Sequence, residues 1–202
     1  ISRRPLISEP LYSSAASDVY KRQVEANAST AEEVLAAPAD GATVKESVEE
    51  AAALFGEHVK VGQVAKVSGP HVEIYAHKKS VELPPSIVSM IATDEAGAKV
   101  AHEAALQISA MGAQWLRRED VPEEVLESER RVATEKSLAE GKPEKIVPKI
   151  VEGRMNAFFK ETVLLEQAYV KDPSKSVGDL FKEVGGTALA FARVEVGKGA
   201  AE

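Results

Sequence analysis

The residues best suited to acid–base or metal chemistry are four histidines, His58, His71, His77 and His102. His71 and His77 share one face of the alternating segment HVEIYAH. At about 3.3 Å per residue they stand roughly 20 Å apart, too far for one metal ion to bridge. Glu123, Glu124, Glu127 and Glu129 are crowded near Arg130 and Arg131, a spacing that suits a solvated helix face with ion pairs within the helix rather than an acid–base pair. Gly185-Gly186 lacks the Lys and Ser/Thr of a phosphate-cradling loop and reads as a helix stop. No serine lies in a nucleophile-elbow setting, and with no cysteine there is no thiol nucleophile, disulfide or thiolate metal site. Trp115 and Leu116, just past a helix, suit core packing. The residues point to a protein that binds another protein, with no catalytic residue, metal or cofactor expected.

The elements that would carry such a surface follow from periodicity. The chain has 202 residues, enough for one domain with an appendage. Its 44% hydrophobic content supports a core, and 5% aromatics require that core to be mostly Val, Ile, Leu and Ala. A net charge of −7 disfavours direct nucleic-acid binding, because no basic stripe is present to release phosphate counterions. No apolar run approaches the roughly 18–20 residues of a membrane span, so a soluble cytoplasmic protein is expected.

Thr43 and Glu46 have capping-box spacing ahead of a short helix whose stop is Gly56. Val61–Val67 and His71–His77, flanking Ser68-Gly69-Pro70, read as two strands and a turn. Ser86–Ala92 is apolar on both faces and reads as a central strand. A helix over Glu95–Met111, capped by Thr93 or Asp94, should pack on that sheet. Pro122 and Pro143 each open a helix, with Gly141-Lys142 between them, so the pair must run back to back. The second carries an apolar seam of Ile146, Val147, Ile150, Val151, Met155, Phe158 and Phe159. The first is thin in apolar residues (Val125, Leu126, Val132, Leu138), so this hairpin is expected to project into solvent. Pro148 threatens a kink of about 3 kcal/mol unless the helix starts late. LLEQAYV reads as a strand, KDPSKS as a turn, VGDLFKEV as a helix capped by Ser176, and Ala188–Val196 as a last strand. The fold class is α+β, a small antiparallel sheet packed with helices plus a projecting antiparallel helical hairpin.

Four segments, in order, resemble the C-terminal half of the bacterial elongation factor Ts family: REDVPEEVLESER, EGKPEKIVPKIVEGRM, LLEQAYVKDPSKSVGDLFKE and FARVEVGKG. ALFGEHVKVGQVAKVSG and HVEIYAHKK upstream are similar to the same family. The resemblance implies a guanine-nucleotide exchange factor for the GTPase elongation factor Tu in its GDP-bound and nucleotide-free states, with no active site of its own and with homodimers possible. It implies a coiled-coil hairpin over 118–162, a C-terminal core subdomain over 61–117 and 163–202, and a helical remnant of an N-terminal core subdomain over 24–60. Its helix-end contact falls on Phe55 and Gly56, its strand-end histidine on His77, and its hydrophobic loop on Val170 and Lys171 beside Tyr169. Here AYV stands where the family more often has PFV, and Pro148 where a charged residue is usual.

The family's N-terminal docking domain and TDFV-type strand-loop find no counterpart, since Thr93-Asp94 is not followed by Phe-Val. Ser13–Gln23, SSAASDVYKRQ, reads as an in-frame translation of a transposase sequencing adapter, so residues 1–23 are expected to stand outside the fold as a disordered artefact. A chain truncated in this way is expected to bind the GTPase and exchange nucleotide poorly. The rival readings are a hairpin assembly module without exchange activity and an unrecognised hydrolase or metalloenzyme, which the histidine and carboxylate spacing does not favour.

Overall fold

A computed structural model describes residues 30–39, 42–56, 58–78, 80 and 85–197. The adapter-like segment, Asp40-Gly41 of the PADG turn and Leu83-Pro84 lie outside the described residues. The chain divides into two compact units, one from the described parts of Ile1–Lys66, His77–Ile87 and Val194–Glu202, the other from Val67–Ala76 and Val88–Arg193.

In the first unit, helix α1 (Ala31–Ala36) and helix α2 (Val44–Phe55) flank a pair of two-residue strands, β1 (Pro38–Ala39) and β2 (Ala42–Thr43). Both helices start with a full capping box, Thr30 with Glu33 and Thr43 with Glu46. Each threonine oxygen accepts the N3 amide while the glutamate accepts the threonine amide, satisfying two otherwise orphaned donors. Val34, Ala37 and Val44 form a small core, with Val48, Val61 and Val64 against it. That packing overturns the strand expected at Val61–Val67. Val61 and Val64 pack on the small core of the helices, and residues 61–67 take no regular structure.

The sheet is β3 (His71–His77), β4 (Ile87–Thr93) and β7 (Ala188–Glu195), in the order β3-β4-β7. The Ser86 amide donates to the His77 carbonyl at one end of the β3–β4 pair, while Gly69 lies against Ala92 at the other, so the two run antiparallel. Hydrogen bonds from Asp94 N to Thr187 O and from Val196 N to Ser86 O fix β7 antiparallel to β4. As the central strand, β4 buries Ser89, Ile91, Ala92 and Thr93.

Helix α3 (Ala98–Met111) packs on this sheet. Its Ala101, Ala104, Ala105 and Ile108 join Ile91, Leu164, Val177 and Phe181 in the main core, and the Ser89 hydroxyl donates to Ala105 O at 2.6 Å. The small residues are what let helix and strand approach so closely. α3 begins later than expected. Asp94 instead heads a preceding turn, its Oδ1 accepting from Gly97 N at 2.7 Å and from Thr187 N at 3.0 Å. These bonds, that from Thr187 first, hold its carboxyl below the usual range.

Helices α4 (Glu123–Ala139) and α5 (Val147–Thr162) pack against each other around a second core of Val121, Leu126, Met155, Phe159 and Val163, with Trp115 and Phe158 alongside. Gly141, at φ 72°, turns the chain after α4. Pro148 lies in the first turn of α5, where its missing N–H has no intrahelical partner to lose, so no kink follows. Of the expected α5 seam, Val147, Met155 and Phe159 are buried while Ile146 is exposed. Arg118 ties the foot of the pair, its guanidinium bonded to both Glu166 oxygens and lying 4.3 Å over the Phe159 ring.

LLEQAYV is a 3-10 turn over Leu164–Glu166 followed by a short strand, β5 (Ala168–Tyr169), because the Leu164 and Leu165 amides turn back to Trp115 and Leu116 carbonyls. The expected turn KDPSKS is mostly strand β6 (Asp172–Ser176), paired antiparallel with β5, and Val170-Lys171 alone forms the connection. Pro173 is tolerated in such a two-stranded edge. Helix α6 (Val177–Val184) carries the Ser176 cap, completed as a box by Asp179, and ends at Gly185 with φ 66°. Gly186 has a different task. A Cβ there would sit 2.3 Å from Gly97 N, so the neighbouring backbone needs a residue without a side chain. Among the described residues, no helix is long and apolar enough to cross a membrane.

Candidate functional site

Tyr169, Val170 and Lys171 come together at the β5–β6 turn, and helix α3 holds them. Tyr169 is buried and its hydroxyl donates to Glu103 Oε2. Lys171 Nζ lies 2.7 Å from the same oxygen and donates to Oε1 at 2.9 Å. Between them the Val170 amide donates to Gln107 Oε1 at 2.9 Å. The Val170 side chain remains 38% exposed. The electrostatics agree with this geometry. The Lys171 ammonium, then the Tyr169 hydroxyl, holds the Glu103 carboxyl below its ordinary value. Burial, then the Glu103 carboxylate, pushes the Tyr169 phenol up to about 12, so it stays a neutral donor near pH 7. The turn therefore offers one apolar side chain flanked by a neutralised cation.

Gly56 ends α2 in the left-handed conformation, φ 67°, its amide donating to Ala52 O, and Phe55 is the last helical residue. A left-handed stop favours glycine because a Cβ would clash. His77 closes β3 and is exposed, with its carbonyl bonded to Ser86. These three belong to the first unit, and Tyr169–Lys171 to the second.

His102 and His71 both lie beside Glu73, while His58 is exposed. His102 Nδ1 lies 2.8 Å from Glu73 Oε1, and its ring meets Tyr75 edge-on at 5.8 Å. His71 Nε2 lies 3.8 Å from Glu73 Oε2. The polar face of β3 thus turns toward α3, while Val72 and Ile74 lie on the more exposed side. Among the described residues no group of three or more His, Asp or Glu could hold a metal ion. Trp115 packs against the hairpin core, its ring 5.8 Å from Phe158.

Sequence reasoning missed Glu103 and Gln107. The signal was present in AALQISA, where Gln107 interrupts an otherwise small and apolar helix face.

The family model described as Elongation factor TS matches residues 9–198, opening ahead of the adapter-like Ser13–Gln23. The chain is 78% identical over 189 residues to elongation factor Ts of Bifidobacterium animalis subsp. lactis, covering 94% of this chain and 66% of that protein. Against elongation factor Ts of Bifidobacterium longum subsp. infantis the identity is 75% over 193 residues, 96% of this chain and 68% of the relative. A more distant relative, elongation factor Ts of Beutenbergia cavernae, is 48% identical over 174 residues, 86% and 62% of the two chains. The chain spans about two-thirds of the length of these curated relatives.

Proposed function

Because the chain belongs to the elongation factor Ts family, we propose that it binds elongation factor Tu as part of guanine-nucleotide exchange in translation elongation. The observation that supports this most is the family match over residues 9–198, which takes in Phe55, Gly56, His77, Tyr169, Val170 and Lys171. Those residues contact the GTPase in this reading, with Val170 as the apolar anchor of the second unit. The chain makes and breaks no bond. It works in the cytoplasm, through protein contacts rather than nucleic acid or membrane; in a full-length factor, preference for the nucleotide-free GTPase over the GDP-bound one weakens GDP reciprocally.

We further propose that the 202-residue chain binds but accelerates GDP release poorly. Its sequence holds no TDFV-type segment, and the Thr93-Asp94 pair that comes nearest is engaged inside the fold, Asp94 with Gly97 and Thr187. A partner that binds the GDP-bound and empty GTPase equally well cannot shift the balance between them, however tightly it binds. Stopped-flow release of fluorescent GDP from elongation factor Tu tests this. Slow release despite demonstrable association is expected. Acceleration equal to that of a relative carrying the TDFV-type segment would refute it.

A second reading has one observation in its favour. Val132, Leu138 and Ile146 on the α4–α5 pair are exposed although apolar, as they would be if the pair projects and self-associates into a homodimer. A concentration-dependent mass in solution, abolished by polar substitutions at these positions and independent of elongation factor Tu, would favour the assembly module.

A further inference from the structure

The Val170-Lys171 connection lacks what turns of its length ordinarily need. Two-residue hairpin turns favour Asn and Gly, because they place residues at positive φ, and this one has neither. Its shape is imposed from outside, by two side chains one turn apart on the same face of α3. Gln107 is fully buried and uses both ends of its amide. Oε1 accepts from Val170 N, while Nε2 donates to Ala168 O at 3.1 Å and to Gln167 Oε1 at 3.2 Å. Glu103 accepts from Tyr169 and Lys171, the residues on either side of Val170. The backbone is thereby pinned at the exposed residue and before it, and the flanking side chains are drawn back toward the helix. What is left as the apolar side chain facing solvent is Val170, beside the exposed but paired Lys171.

We infer that Glu103 and Gln107 are positioning residues of the partner-binding turn: they fix Tyr169–Val170–Lys171 in its bound shape without touching the partner. This rests on the proposed function. Ordering a loop before binding removes a cost that association would otherwise carry, so loss of either residue should weaken binding through the turn alone.

Glu103→Ala and Gln107→Ala are compared with Val170→Ala, and with each paired double variant, in the full chain. Amide hydrogen exchange at Val170, read by NMR without partner, reports the shape of the turn. Titration against nucleotide-free elongation factor Tu reports binding. Both single variants should speed exchange at Val170 and weaken binding about tenfold, the scale of one charge-assisted or buried hydrogen bond. Their effect should largely vanish in the Val170→Ala background, a non-additivity that general destabilisation would not produce. Glu103→Gln, which keeps an acceptor for Tyr169, should recover part of the affinity. Should Gln107→Ala fail to fold, the Glu103 pair carries the test. Faster exchange at Val170 with wild-type affinity overturns the positioning role and leaves the proposed function standing. A wild-type chain that is folded, protected at Val170 and still unable to bind overturns both.

Discussion

Helices α3 and α4 have 14 and 17 residues and comparable exposure to sequence reading, yet they are stabilised in opposite ways. α3 buries Ala101, Ala104, Ala105, Gln107, Ile108 and Ser109 against a sheet, a helix and a hairpin turn. α4 buries Leu126, Ala133 and Ser137, spaced as a narrow seam, and leaves Val132 52% and Leu138 47% exposed. Its ion pair between Arg130 and Glu123, 2.9 Å, is solvent-exposed and contributes little. The difference teaches that apolar residues on a helix do not by themselves say which face is buried. In α4 the small Ala133 and Ser137 join Leu126 on the buried seam while Val132 and Leu138 face out, and the Ser137 hydroxyl is satisfied by Ala133 O at 2.7 Å.

Ile108→Ala should cost about 2–5 kcal/mol in denaturant unfolding, since the main core cannot close over the lost methyls. A loss no larger than that of an exposed α4 residue would break the contrast. Gly186→Ala should cost about 1–3 kcal/mol from overpacking against Gly97. Ser176→Ala should cost about 1 kcal/mol through loss of the α6 cap.

The same cap sets an acid limb. The Ser176 amide, then its hydroxyl, then Lys182, lowers Asp179 from 3.8 to about 2. A depressed carboxyl contributes stability above its unfolded value and loses it as pH falls through the folded one, so the contribution should fade between about pH 4 and 2. Asp179→Asn should flatten that limb in a pH series of thermal midpoints. Smallest of all, Val132→Ala on α4 should stay within about 0.5 kcal/mol of wild type.

Local features were legible in the sequence. The Thr43–Glu46 box, the Ser176 cap and the stops at Gly56, Gly141 and Gly185 all lie where spacing placed them, because capping involves neighbours in the chain. Features that depend on distant partners were not. Val61–Val67 takes no regular structure because Val61 and Val64 pack on Val34, Ala37 and Val44, and the polar side of β3 faces α3, where Glu73 and His102 pair across 29 positions. Tyr169, Val170 and Lys171 were singled out by family resemblance. Glu103 and Gln107, which hold them, look on a helix like any solvated or neutral polar residue until the turn is seen against them.

The central claim, binding without discrimination between nucleotide states, is tested most directly by two affinities. The full chain is titrated calorimetrically against nucleotide-free and against GDP-bound elongation factor Tu at one temperature and salt concentration. Linkage requires their ratio to equal the factor by which the chain weakens GDP. The expected result is measurable binding in both titrations, with dissociation constants within about threefold of each other, and weaker but still measurable binding in both on Val170→Ala. Preference for the nucleotide-free form by a hundredfold or more would contradict it and place an exchange lever within these 202 residues.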